Sequence, residues 1–120
     1  MKLHDQICSL HLAIQLKNLG VEQNSRYFWY KTWHYFSPEY KISKGEKNYR
    51  RTFSAFTVAE LGEMLPNDYV YGKDSWGKFC CWSESNILIV NTVYEDEKLA
   101  NAIAKMLIYL LKNNLFKESK

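Results

Sequence analysis

Apolar residues recur at helical spacing near both ends of the chain. Near the start, Leu12, Leu16 and Leu19 follow an i, i+4, i+7 pattern, which predicts a helix over Leu10–Leu19. Near the end, Asp96–Asn113 carries a broad apolar arc, which predicts a longer helix lying flat on a sheet. The apolar positions of this arc are Leu99, Ala100, Ile103, Ala104, Met106, Leu107, Leu110 and Leu111. The predicted solvent side of the same helix holds Lys98, Asn101, Lys105 and Lys112.

The sharpest helix signal lies in the middle of the chain. Thr57 and Glu60 have the spacing of a capping box, in which each side chain bonds the backbone of the other residue. Pro66 prevents extension, so the predicted helix covers Val58–Met64. Gly62 lowers helix propensity, and its presence predicts close approach to a neighbouring element.

The remaining segments have the composition of strands. Tyr27–Phe36 is aromatic on both faces, which predicts a strand with one face exposed or only half covered. Asn48–Phe53 alternates as a half-buried strand does. Three more strands are predicted at Tyr69–Tyr71, Trp76–Trp82 and Asn86–Val93, the last of them central in the sheet. Turns are predicted at Ser43–Glu46, Gly72–Ser75 and Ser83–Ser85.

The predicted order of elements is α-β-β-α-β-β-β-α within a single domain, residues 1–120. Short turns between strands favour an antiparallel sheet of about five strands, and three helices, with the C-terminal helix packed on the sheet, make the fold class α+β. The chain is 47% hydrophobic and 16% aromatic. This composition excludes intrinsic disorder and allows a core without metals or disulfides.

Charge and cysteine content indicate the compartment. No run of 18 apolar residues is present, which predicts no membrane span, and Met1–Ser9 lacks the apolar stretch of a secretory signal. Three cysteines, an odd number, predict reduced thiols in a cytoplasm. The net charge of +3 is uneven, because residues 26–51 hold seven cations and two acids whereas residues 52–97 hold two cations and eight acids.

Catalytic and metal-binding patterns are missing from the sequence. Cys8, Cys80 and Cys81 have no local spacing that pairs them with a histidine, and Cys80-Cys81 lacks the spacer of a zinc site. The five glycines form no phosphate-binding or dinucleotide fingerprint. We therefore expect no catalytic residue, no metal and no cofactor.

Aromatic and basic residues alternate over residues 26–51, which we call the 26–51 patch. The candidate binding residues are Lys31, Trp33, His34, Tyr35, Tyr49, Arg50 and Arg51. Trp, Tyr and Arg are the commonest anchors of protein interfaces. The same mixture suits single-stranded nucleic acid, where bases stack on rings and cations follow phosphates. A third interpretation is that the rings form the core and the cations cover it.

Three segments also carry a resemblance to a known family. They are Cys8–Val21 followed by Tyr27-Phe-Trp29, then Phe56-Thr-Val-Ala-Glu-Leu-Gly-Glu-Met-Leu-Pro66, and Ala100–Asn113. Together they resemble small uncharacterised proteins encoded by bacteriophages and prophages, often of gut bacteria. The likeness covers residues 8–33, 55–66 and 94–116, about half of the chain, and the Thr-Val-Ala-Glu-Leu-Gly-Glu-Met-Leu-Pro string is its most specific part. The resemblance implies a phage gene product in the cytoplasm of a bacterial host, and it implies no catalytic residues.

These observations lead to one functional expectation and one alternative. We expect a non-catalytic binding module that contacts a host or phage protein through the aromatic and basic sheet surface. The alternative is single-stranded nucleic-acid binding by the same 26–51 patch. An exposed strand edge or aromatic face would also allow a homo-oligomer.

Overall fold

The protein is an α+β structure in which the C-terminal helix packs against antiparallel strands. A computed structural model describes residues 3–32, 39–44, 52–73, 76–83 and 94–113. Within these ranges the side chains of six residues are not described, namely His4, Lys31, Thr32, Glu39, Tyr40 and Ser83.

The three predicted helices are found in order, and the described residues add a short helix before them, one strand before the helix over 58–64 and one strand over 94–96. The helices are α1 (Leu3–Gln6), α2 (Leu10–Asn18), α3 (Val58–Met64) and α4 (Leu99–Lys112). The strands are β1 (Tyr27–Thr32), β2 (Glu39–Lys44), β3 (Phe53–Ser54), β4 (Tyr69–Lys73), β5 (Phe79–Ser83) and β6 (Tyr94–Asp96). Among the described residues these strands form two antiparallel sheets, with the orders β2-β1-β3 and β4-β5-β6. The predicted class is confirmed, and in the described part of the chain the strands form two sheets of three instead of one sheet of about five.

Strand β2 is one of three described elements that the sequence did not predict; the others are α1 and β6, whose Asp96 was expected in the last helix. Its residues Ser43 and Lys44 were expected in a turn, yet they pair with Phe28 and Tyr27 of β1. β2 lies at the edge of its sheet among the strands that the structure describes, and an edge strand accepts polar residues at alternate positions, so its pattern lacks a clear apolar face. The ends of the predicted strands at 27–36 and 48–53 fall in part on residues outside those that the structure describes.

The second sheet also departs from the prediction at its turns. Gly72 and Lys73 belong to β4, not to a turn. β5 begins at Phe79 and not at Trp76, because Gly77 takes the left-handed conformation with φ +85° and interrupts any extended run. β5, not the predicted strand 86–93, is central among the described strands of this sheet, and residues 86–93 lie outside the described ranges.

Helix α2 ends in a Schellman motif, as the glycine that follows it predicts. Gly20 is left-handed, with φ +91°. Its N–H donates to the Lys17 carbonyl at 3.0 Å, and the Val21 N–H donates to the Leu16 carbonyl at 3.1 Å. These two bonds satisfy carbonyls that the helix itself leaves without partners.

Helix α3 begins with the predicted capping box, and Glu60 extends that box to a distant segment. The Thr57 Oγ1 accepts from the Glu60 N–H at 3.2 Å, and Glu60 Oε1 accepts from the Thr57 N–H at 2.9 Å. The same carboxylate accepts from the Ser25 hydroxyl at 2.7 Å and from the Arg26 N–H at 3.2 Å. One side chain therefore joins the start of α3 to the segment that enters β1.

Helix α4 is the centre of the hydrophobic core. It contacts α1, α2 and α3 as well as β4, β5 and β6. Its buried positions run almost without interruption: Ala100, Asn101, Ala102, Ile103, Ala104, Met106, Leu107, Ile108 and Leu110. A helix that is buried nearly all round needs apolar residues on more than one stripe, and the predicted arc was too narrow.

Asn101 lies in this buried region, so its predicted place on the solvent side is wrong. Its Oδ1 accepts from the Ser9 N–H at 2.8 Å, and its Nδ2 donates to Asp96 Oδ1 at 3.4 Å. Asp96 also accepts from the Lys98 N–H at 2.9 Å and from the Lys105 ammonium at 2.8 Å. These bonds join the end of β6, the start of α4 and the residue that precedes α2.

Gly62 of α3 allows the close approach that its position predicts. A Cβ atom placed there would lie 2.8 Å from the Tyr71 hydroxyl oxygen and 3.2 Å from the ring carbon Cε1. The ring of an edge-strand tyrosine thus packs directly on the helix backbone, and any larger side chain would displace it.

We expect Gly62→Ala to leave the stability of the natural chain nearly unchanged and to stabilise a Tyr71→Ala background. In the natural chain, the clash with Tyr71 should cancel the gain in helix propensity of about 1 kcal/mol. In a Tyr71→Ala background the clash is gone, so Gly62→Ala should raise the free energy of unfolding by about 1 kcal/mol. Urea unfolding of the four chains measures this double-mutant cycle, and equal effects in both backgrounds would contradict the contact.

We expect the contribution of Asp96 to stability to depend on pH. Burial acts to raise the pKa of Asp96, but hydrogen bonds from Lys105, the Lys98 N–H and Asn101 outweigh it and hold the pKa below its usual value. The contribution is therefore present above the ordinary aspartate pKa of about 4 and is lost as the pH falls through the lower folded-state pKa.

The variant Asp96→Asn tests this dependence. At neutral pH it should lower the free energy of unfolding by about 1.5–3 kcal/mol, the usual worth of hydrogen bonds to a charged group. Urea unfolding at a series of pH values should show this difference shrinking below about pH 4. Glu97→Gln, which changes an exposed neighbouring acid, is the matched control. A difference that stays constant down to pH 3 would show that the charge of Asp96 does not matter.

Candidate binding surface

The β1–β2 ribbon has one face against the core. Trp29 pairs in register with Ile42 of β2 and with Phe53 of β3, so these three residues share a face. All three pack in the core cluster, and Trp29 is only 7% exposed. The Trp29 indole Nε1 donates to the Cys8 carbonyl at 3.2 Å, which fixes the ring against the segment that precedes α2.

The opposite face of the ribbon carries Phe28, Tyr30 and Lys41. Phe28 is 4% exposed although it lies outside the main core cluster. Its ring centroid is 6.2 Å from that of the half-buried Tyr30, at an interplanar angle of 59°. Tyr30 pairs in register with Lys41, and Lys41 is exposed. An ordered aromatic ring therefore lies beside an exposed cation on the outer face.

Two more exposed cations lie on the described part of the 26–51 patch. Arg26 precedes β1, and Lys44 lies opposite Tyr27 at the end of β2, on the face that holds Trp29 and Ile42. Lys17, by contrast, is used within the fold, because its ammonium donates to the Thr52 carbonyl at 3.1 Å and lies 4.9 Å from the centroid of the Phe53 ring. Lys17 therefore holds the fold together, whereas Arg26, Lys41 and Lys44 are exposed to solvent.

Most of the predicted binding residues lie outside the described ranges. Lys31 belongs to β1, where it pairs in register with Tyr40 of β2. The other six are outside the residues that the structure describes: Trp33, His34, Tyr35, Tyr49, Arg50 and Arg51. Their place in a binding surface stays a prediction.

The described residues of β1 test in part the prediction that one face of the aromatic strand is exposed or only half covered. Phe28 and Trp29 point to opposite faces and are both buried, while Tyr27 and Tyr30 are half-buried. Both faces of β1 are therefore covered at its centre, and Tyr30 is the ring on the outer face that reaches solvent in part. The predicted surplus of exposed ring area now depends on residues 33–36.

The three thiols are buried. Cys80 and Cys81 lie on opposite faces of β5, as adjacent residues of a strand must, and they are 6% and 0% exposed. Burial raises the pKa of Cys8 to about 11 and that of Cys81 to about 12. Because the thiolate is the reactive form, both groups stay protonated and poorly nucleophilic at neutral pH.

The described histidine side chain makes a local contact. His11 is exposed, and its Nδ1 lies 3.1 Å from the hydroxyl of Ser9, two residues earlier. Within the described ranges, no group of three or more His, Cys, Asp or Glu residues could hold a metal ion. A search of the same residues finds no helix with the length and hydropathy needed to cross a membrane.

Trp76 is the exposed aromatic residue that sequence reasoning placed wrongly. It lies in the turn between β4 and β5 and is 88% exposed, more than any other large hydrophobic residue among those described. The sequence assigned it to a strand, whereas Gly77, next to it, makes the turn. A tryptophan followed at once by glycine within a hairpin is the signal that could have identified this tip.

Comparison with protein-family models, with curated proteins and with solved structures finds no match to this chain.

We expect the native protein to protect its thiols from modification. All three cysteines are buried, and burial keeps the thiols of Cys8 and Cys81 protonated. With an aromatic disulfide reagent at pH 8, labelling should be slow in the native state and should reach all three thiols rapidly in guanidinium. An Ala59→Cys variant, exposed on α3, is the positive control and should add one rapidly labelled thiol. Rapid native labelling of Cys8 or Cys81 would contradict their placement in the core.

Proposed function

We propose that the protein is a non-catalytic binding module that contacts another protein through the outer face of the β2-β1-β3 sheet. The observation that carries this proposal is the register pair of Tyr30 and Lys41, which puts a half-exposed ring and an exposed cation side by side on that face. Lys31 alternates onto the other face of β1, so the proposal leaves it out of this surface. The proposal adds the six predicted binding residues that precede and follow β2 in the sequence, namely Trp33, His34, Tyr35, Tyr49, Arg50 and Arg51.

The proposal of a protein partner follows from how Tyr30 is held. Its ring packs beside Phe28, so little conformational entropy is lost when a partner covers the rest of it. Tyrosine in a partly covered position is a frequent energetic anchor of protein interfaces, and cations such as Lys41 and Arg26 suit the polar rim around it.

The cellular setting that we propose for the protein is inferred from its sequence. The Phe56–Pro66 string and the two flanking segments resemble phage and prophage proteins, so we place the protein in the cytoplasm of a bacterial host. Buried, reduced thiols suit such a compartment. The partner in this setting is a host or phage protein.

Single-stranded nucleic acid is the second candidate ligand of the same surface. Tyr30 could stack on a base while Lys41 contacts a phosphate. This alternative predicts an affinity that falls steeply with salt. The modest net charge of +3 favours the protein partner over it.

We expect Tyr30→Ala and Lys41→Glu to weaken binding of the protein partner. Tagged chains would be used to capture proteins from a bacterial lysate, and any partner lost by both variants would be purified for calorimetry. Loss of an anchor should then raise its dissociation constant at least about tenfold. Trp33→Ala and Tyr35→Ala test whether the surface extends into the predicted residues.

Two matched variants control for general effects. Tyr71→Ala removes a partly exposed tyrosine on the other sheet, and Lys112→Glu reverses an exposed lysine on α4. Both should retain the partner. If the four surface variants capture the same proteins as the natural chain, the proposed surface is wrong. If they instead lose salt-sensitive binding of a labelled oligothymidine, the ligand is nucleic acid.

A further inference from the structure

The cations beside Tyr30 are not neutralised by any acid in the described part of the chain. Arg26 and Lys41 are both exposed. The ion pairs between described residues are made by acids of β6, and neither of them uses these two cations. The positive charge at this end of the molecule is therefore open to a partner.

Glu60 contacts Arg26 but does not pair with its side chain. The carboxylate accepts from the backbone N–H of Arg26 at 3.2 Å, so the guanidinium takes no part in that bond. The same carboxylate also accepts from the Ser25 hydroxyl at 2.7 Å and from the Thr57 N–H at 2.9 Å. Glu60 thus serves the fold and leaves the Arg26 charge to solvent.

The positive balance of the 26–51 patch is a property of its sequence. Seven cations stand against two acids, Glu39 and Glu46, which gives the segment a net charge of +5. Residues 52–97 hold two cations and eight acids, a net charge of −6. The chain is therefore electrically asymmetric, and its basic segment attracts groups of negative charge.

Two observations favour the carboxylates of a protein over the phosphates of nucleic acid. A base stacks on an open ring face, whereas the Tyr30 ring is half-buried and packs beside Phe28. The acids of residues 52–97 repel a long polyanion that extends beyond the patch, but the carboxylates of a folded partner are confined to the contact. A compact acidic surface therefore suits these cations better than a nucleic-acid strand does.

We propose that the partner of the β2-β1-β3 sheet is an acidic protein, whose aspartate and glutamate carboxylates contact Arg26 and Lys41 around Tyr30. This inference rests on the proposed function and specifies the chemistry of its partner. Complementary charges of this kind speed the encounter of two proteins and exclude partners of the wrong sign.

An NMR titration of the isotope-labelled natural chain with capped octaglutamate tests the proposal. At about 20 mM salt, where charges act over about 20 Å, the peptide should bind with a dissociation constant below about 1 mM. The backbone amides of Arg26, Tyr30 and Lys41 should shift most. Raising the salt to about 0.5 M should abolish these shifts, because the charges are then screened.

Two double variants of equal net charge make the test specific. Arg26→Gln/Lys41→Gln should raise the dissociation constant of octaglutamate at least about fivefold. Lys73→Gln/Lys112→Gln removes two exposed lysines elsewhere and should change the constant by less than about twofold. Lys44→Gln, on the same strand as Lys41 but on its opposite face, should weaken the peptide less than Lys41→Gln does.

Three results would overturn the acidic partner. They are an absence of shifts at the three amides, equal weakening by the two double variants, and tighter binding at the same amides of an oligothymidine of equal charge, which would assign the surface to phosphates. Neither of the first two results decides the proposed surface itself, which fails if its variants capture the same proteins as the natural chain.

Discussion

The burial of α4 is the constraint on which the rest of the structure depends. Apolar residues occupy almost every side of this helix, so every side must be covered by another element. Three helices and one three-stranded sheet contact it, and no single sheet face could cover so much of a helix. Helices therefore cover the sides of α4 that the β4-β5-β6 sheet leaves open, while the β2-β1-β3 sheet contributes Trp29, Ile42 and Phe53 to the same core. The opposite face of the β2-β1-β3 sheet is the surface that the proposed function uses.

A helix buried so completely must also satisfy the polar groups that it carries. Asn101 does so by accepting from the Ser9 N–H and donating to Asp96, which itself holds Lys105. An unsatisfied amide at this position would cost more than a hydrogen bond contributes, so the network fixes where the start of α2 lies along α4. The same requirement explains why Trp29, whose indole carries one donor, lies against the Cys8 carbonyl.

The sequence predicted best those features that depend on neighbours along the chain. The capping box of α3 and the left-handed Gly20 need only local chemistry, and both were found as predicted.

Asn101 was misplaced because its role depends on Ser9, 92 residues away. Strand β2 was missed because an edge strand needs no apolar face. Trp76 was misplaced because its aromatic character resembles that of a strand, while the turn is determined by Gly77. Most of the predicted binding residues lie outside the described ranges, so the aromatic and basic composition of the 26–51 patch remains the main argument for a binding site there.

Glu60 has a consequence for how the chain folds. A capping box is commonly regarded as a signal that a peptide carries by itself, but this carboxylate also holds Ser25 and Arg26, about 35 residues upstream. Fraying at the first turn of α3 must therefore loosen the entry to β1 at the same time, and a peptide cut out around α3 would lack two of the three donors that its glutamate uses. The two regions form one cooperative unit, whose opening during hydrogen exchange should be shared between them.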